Sequence, residues 1–233
     1  MRVYSALLWT ALRWIPAWFS YPERSYGGWK KPLVAAADAI HRELARLSPG
    51  SGVDWTAVDL WWGDERFVAR DSADRNAVQA RTAFLDAVGV PAERVHEVAA
   101  TEDVDDVEAA AAAYAAELDA HGPEEFDVLM LGVGPDSHIA SLFPGRPELE
   151  VRDRSTVPVT GSPKPPPERV SLTYPTLARS RATWLLVSGE PKSEAVARAL
   201  SPAGTTVEET PASGVSGREE TVWFLDRAAA SRL

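Results

Sequence analysis

The chain has 233 residues, 45% of them hydrophobic and 25% charged, enough apolar material for one sizeable α/β domain or two small ones. A formal net charge of −10 disfavours nucleic acid and anionic membrane as partners, so an anionic ligand needs a local cluster of Lys and Arg. The absence of cysteine excludes disulfides and thiolate–metal sites, and the four histidines (His41, His96, His121 and His138) lack metal-ligand spacing.

In chain order, the first 31 residues stand apart, with four of the nine tryptophans (Trp9, Trp14, Trp18 and Trp29). Arg13 and Pro16 interrupt their apolar run, which argues against a membrane span. The apolar stretch after Arg2 is short and no clear small-residue cleavage site follows, so no targeting signal and a cytoplasmic location are expected. Val34, Ala37, Ile40, Leu44 and Leu47 share one face of a helix over 33–47, which the Ser-Pro-Gly-rich 48–52 ends. Residues 58–62 read as a strand closed by Gly63. A helix is predicted over 76–88, with Asp74 as its N-cap and Gly89 and Pro91 past its end. The alanine-rich 108–118 is helical by propensity, with Tyr114 and Leu118 on a packed face.

Residues 126–131 form a nearly continuous apolar run, the pattern of a strand buried on both faces. A loop over 132–137 and a short helix over 139–142 follow. Pro158 assigns 156–159 to a sheet edge, and 183–187 is a stronger strand. A helix over 192–200, a last strand over 221–225 and a short terminal helix complete the pattern. Strands alternate with helices, which predicts an α/β, doubly wound, mostly parallel sheet with helices on both faces, a Rossmann-like sandwich. No internal repeat is visible, and one domain is the simpler reading.

Ligands of open parallel sheets bind at the carboxyl ends of strands. One such end carries Asp64-Glu65-Arg66, and another Gly132-Val133-Gly134-Pro135-Asp136-Ser137-His138. His138 reads either as a general base supported by Asp136 or as a histidine packing at a helix start; its place after a buried strand balances the two. Gly132 and Gly134 nearly match a dinucleotide fingerprint, but Ser137 stands where a third glycine belongs and Asp136 where a pyrophosphate would lie. Asp64-Glu65-Arg66 is either functional or a solvated charge run. Lys164 and Arg169, in a proline-stiffened loop, could grip a phosphate or be incidental surface charge. No GxSxG elbow, P-loop or CxxC occurs.

Taken together, Trp62-Gly63-Asp64-Glu65-Arg66, Asp74-Arg75-Asn76, the segment from Gly132 through His138 to Gly145, Pro163-Lys164-Pro165-Pro166-Pro167-Glu168-Arg169-Val170-Ser171-Leu172-Thr173, Ser188-Gly189-Glu190-Pro191-Lys192 and Pro211-Ala212-Ser213 resemble the 6-phosphogluconolactonase family in order and spacing. The resemblance covers roughly residues 43–233. It implies a sandwich related to glucosamine-6-phosphate deaminase and ribose-5-phosphate isomerase, and hydrolysis of a sugar phosphate lactone with no metal or organic cofactor. Carried over, His138 would activate water with Asp136 supporting it. Arg66, Lys164 and Arg169 would hold the phosphate, Asp64, Gly132 and Gly134 would belong to the substrate site, and Lys192 would be a further anion-binding candidate.

Two departures bear on that expectation. The family motif has glycine where Ser137 stands, so a positive φ there would strain serine by about 1–2 kcal/mol. A Gly-Gly-Ser/Thr phosphate loop is also expected upstream, where this chain has Ala35-Ala36-Ala37-Asp38-Ala39; the glycine pair Gly27-Gly28 is followed by Trp29-Lys30-Lys31-Pro32. Residues 1–38 are therefore expected to be an atypical segment, read from another frame or a misassigned start, and 39–233 the domain. The competing expectations are an impaired relative acting as a binding protein, or a sugar-phosphate isomerase or deaminase.

Overall fold

The computed structural model describes residues 31–233, with side chains described from Ala39 onward. The expectations for Gly27-Gly28 and the tryptophan-rich start lie outside the described residues. Helix α1 (Lys31–Leu47) contains the Ala35–Ala39 stretch and turns Ile40 and Leu44 inward. Strand β1 (Leu60–Trp61) is shorter than the sequence suggested and pairs in parallel with β3 (Val95–His96). Between them lie β2 (Asp64–Arg66) and helix α2, which runs Asn76–Ala80, passes through a π turn at Arg81–Leu85 and closes with Asp86–Val88. Gly89 ends α2 at φ 71°, a left-handed conformation that glycine adopts without steric cost.

Helix α3 (Val107–His121) is capped by the Asp106 carboxylate, which accepts from Ala109 N–H. It precedes β4 (Phe126–Gly132), β5 (Thr156–Val159), β6 (Arg169–Leu172) and the short helix α4 (Tyr174–Leu177). Strand β7 (Ser180–Val187), helix α5 (Ser193–Ala199) and β8 (Glu220–Leu225) complete the chain.

Strands β4, β7 and β8 form a parallel sheet with β7 in the middle. Alternation along β7 shows why both faces must be covered. Leu185 and Val187 join the core under α3, while Trp184 turns to the opposite face, where Ile40 and Leu44 of α1 and Phe84 of α2 meet it. This is the expected mostly parallel, two-sided α/β arrangement. The second three-stranded sheet, β2-β6-β5, is antiparallel and was not read from the sequence, although β5 does occupy the predicted edge.

Four local expectations need correction. Strand β4 is not buried on both faces: Leu129 and Leu131 enter the core, but Met130 on the other face is 38% exposed. Asp74 does not cap α2; Arg75 is the N-cap residue, and Glu65 instead accepts from the N–H groups of Asn76 and Ala77 at 2.8 and 2.9 Å. Residues 139–142 are a turn closed by an Ile139–Leu142 bridge, not a helix, because Ser137 and Ala140 have φ of 72° and 47°. The chain end after β8 forms turns, where a helix was expected.

Candidate active site

The end of β4 delivers the chain into a loop that folds back on itself. Gly134 N–H donates to His138 O at 2.8 Å, and Ser137 N–H donates to Gly134 O at 2.9 Å. Beyond the loop, Ile139 and Leu142 are fully buried pegs that fix it to the core. Gly134 is required by space: a Cβ there would lie 1.9 Å from His138 Nδ1 and 2.3 Å from Asp136 Oδ1. The loop therefore brings together the two groups that the sequence singled out.

Asp136 Oδ1 and His138 Nδ1 are 2.5 Å apart. Lys164 Nζ, from the proline-rich loop, approaches His138 Nδ1 at 3.0 Å and Asp136 Oδ1 at 3.4 Å. The imidazole is 8% exposed and packs on Phe143, with ring centroids 4.6 Å apart. Burial pushes its pKa below the ordinary histidine value, and the Lys164 ammonium acts in the same direction against Asp136 and Asp64. Burial alone would raise Asp136; its hydrogen bond to His138 and the charges of His138 and Lys164 outweigh that and hold its carboxyl well below the usual carboxylate range. With Nδ1–H donated to Asp136, Nε2 carries the lone pair. In its neutral form such a ring can accept a proton at Nε2.

The cations divide by what they already hold. Lys192 is buried and donates to Val133 O at 2.6 Å; burial and the nearby Lys164 lower its pKa to about 8. Lys164 is also depressed by burial, with Asp136 opposing. Arg169 is committed to the loop, donating to Pro166 O at 3.2 Å and to Lys164 O and Pro165 O at 3.1 Å. Its Nη1 lies 3.8 Å from Asp64 Oδ2, and burial pushes its pKa down. Arg66 stands opposite Arg169 across the β2–β6 ladder and donates to Asn76 Oδ1. Asp64 accepts from Ser141 Oγ at 2.6 Å, and Ser141 N–H donates to Ser171 Oγ at 3.2 Å.

Asp64-Glu65-Arg66 is thus not a solvated run. Glu65 is fully buried and accepts from three backbone N–H groups, those of Arg66, Asn76 and Ala77. Burial pushes its pKa up, against those three donors. Asn76, Ser141 and Ser171 fall within the motifs that carry the family resemblance, but the sequence assigned none of them a place in the site. Ser171 becomes legible only through the Asp64–Ser171 register of an unanticipated sheet. Gly132 is the last residue of β4, where the chain enters the His138 loop. Among the described residues, no three or more His, Asp or Glu side chains converge as metal ligands, and no helix is long and apolar enough to cross a membrane.

Residues 35–223 match the family model described as glucosamine-6-phosphate isomerases/6-phosphogluconolactonase. The 6-phosphogluconolactonase of Streptomyces coelicolor is 52% identical over 199 residues, covering 82% of this chain and 76% of the relative. That of Mycobacterium tuberculosis is 47% identical over 189 residues, covering 78% and 75% respectively. Among solved structures, the 6-phosphogluconolactonase of Thermotoga maritima superposes with a TM-score of 0.70 at 27% identity, over 82% of this chain and 81% of that one.

Proposed function

The chain belongs to the glucosamine-6-phosphate isomerase/6-phosphogluconolactonase family, and from that premise we propose that it hydrolyses 6-phospho-D-glucono-1,5-lactone to 6-phosphogluconate. The observation that carries the reading is the buried His138 ring seated against Asp136 at 2.5 Å, with the Lys164 ammonium beside it. In this mechanism Asp136 accepts the Nδ1–H bond and keeps Nε2 as the base. His138 takes a proton from water, and the oxygen adds to the lactone carbonyl. Negative charge develops on the carbonyl oxygen and is stabilised by the surrounding cations. The bond from the carbonyl carbon to the ring oxygen then breaks, and His138 returns its proton to that oxygen. The acid formed loses its proton to solvent.

Arg66, Lys164 and Lys192 hold the phosphate, overcoming the repulsion of a chain of net charge −10. Arg169 contributes charge to the same face and keeps the Lys164 loop in place; Asp64, Gly132 and Gly134 shape the wall. No metal or organic cofactor takes part. An activated ester needs only modest acid–base and electrostatic help. The activity is assigned to the domain of residues 39–233, which helix α1 enters from residue 31, and to the cytoplasm.

The test is pH-stat titration of acid release from 6-phosphogluconolactone, set against the spontaneous rate. Turnover by the parent and its loss in H138A are expected. A parent no faster than buffer, or an H138A variant as fast as the parent, would overturn the reading.

A further inference from the structure

Ser137 holds a backbone conformation that its side chain opposes, with φ at 72° in a wholly buried position. A non-glycine residue stays there only when its surroundings over-determine it. Three hydrogen bonds do so here. Its N–H donates to Gly134 O at 2.9 Å, and its carbonyl accepts from Ala212 N–H at 3.0 Å. Those two are open to any residue. The third is not: Arg198 Nη2 donates to Ser137 Oγ at 3.0 Å.

Arg198 lies in the last turn of α5, the helix that Lys192 precedes. Lys192 holds the Val133 carbonyl at 2.6 Å, so the two ends of this segment grip the loop on either side of Gly134-Pro135-Asp136. The ring that follows Ser137 has a closely fitted seat, since even a Cβ on Gly134 would strike Nδ1.

The geometry points to Arg198 as a positioning residue that fixes His138 through the Ser137 hydroxyl. This rests on the reading of His138 as the base. Arg198 is exposed and bonds neither Asp136 nor His138 among the described contacts. Without its bond, Ser137 drifts towards the right-handed region and carries the neighbouring imidazole with it. Glycine accepts φ 72° unaided, so the dependence on Arg198 should vanish when Ser137 is replaced by glycine.

The experiment compares the parent, R198A, R198K, S137G and the S137G/R198A double variant in lactone hydrolysis. The Nδ1–H proton of His138 is followed in parallel by NMR of ¹⁵N-histidine-labelled protein. In the serine background, R198A is expected to lower kcat about tenfold with KM within about twofold, as misplacement of a reacting group does. R198K should recover part of the loss. In the glycine background the same change should cost less than about twofold. The Nδ1–H signal should broaden in R198A and stay sharp in S137G/R198A. Equal losses in both backgrounds, no loss in either, or an unchanged signal in R198A would overturn the proposal. Failure of the lactonase reading is seen separately, as a parent that gives no turnover, and the NMR comparison still decides the coupling.

Discussion

Asp64-Glu65-Arg66 and Asp136-Ser137-His138 both stand near strand ends and look alike as short charged motifs. In the first, the charges are turned onto the scaffold: Glu65 serves three backbone donors, Arg66 bonds Asn76, and Asp64 bonds Ser141. In the second, ionisable groups face one another, with Asp136, His138 and Lys164 within 3.4 Å. A charge that ends on backbone N–H groups fixes geometry. A charge that ends on another titratable group sets a proton's position. Burial alone does not separate the two cases, because Glu65 and His138 are both buried.

Damage to the second motif should therefore remove activity from a folded protein, and loss of Glu65 from the first should cost stability. The largest effect is expected for H138A, a loss of about 10²–10⁴ in kcat with Tm nearly unchanged, read by pH-stat and thermal melting. Gly134→Ala should cost about 10² in kcat, because displacing the imidazole by about 1 Å spoils its approach; a crystal structure of the variant should show the ring moved. Glu65→Ala should act the other way. Three backbone donors lose their buried acceptor, so stability should fall by about 3 kcal/mol or more, roughly 6–12 °C in Tm, while kcat of the folded fraction stays within about threefold. The smallest effect concerns Lys192. As pH rises past about 8 its ammonium is lost in the free enzyme, and KM for the phosphorylated lactone should rise. K192R, which stays charged, should flatten that rise.

Much of the architecture was legible where period and punctuation agreed. The 3.6-residue spacing of Ile40 and Leu44, the left-handed Gly89 and the edge proline Pro158 all stand where the sequence placed them. The antiparallel sheet was not legible, because Asp64–Arg66 is three charged residues with no apolar alternation. The helix expected over 139–142 failed for a different reason: Ile139 and Leu142 are spaced like one helical face but are anchors of a turn set by two left-handed residues. At the site, the strain foreseen at Ser137 is present, while its partner Arg198 lies 61 residues away and left no local signal. Arg169 was read as a phosphate ligand for its guanidinium fork in a proline-stiffened loop, and the structure adds a second task. Its Nε and Nη2 donate to the carbonyls of Lys164, Pro165 and Pro166 and so tie the proline run to β6.

The most direct measurement is the pH dependence of kcat/KM for the parent and for D136N, with spontaneous hydrolysis subtracted. Only the neutral imidazole accepts a proton, so the rate should fall as pH drops through a value below the ordinary 6.5 of histidine. Asp136 raises the His138 pKa, so D136N should be slower and its acid limb should move to still lower pH. An acid limb at or above 6.5, or one that D136N leaves in place, would contradict the assignment of His138 as a base held by Asp136.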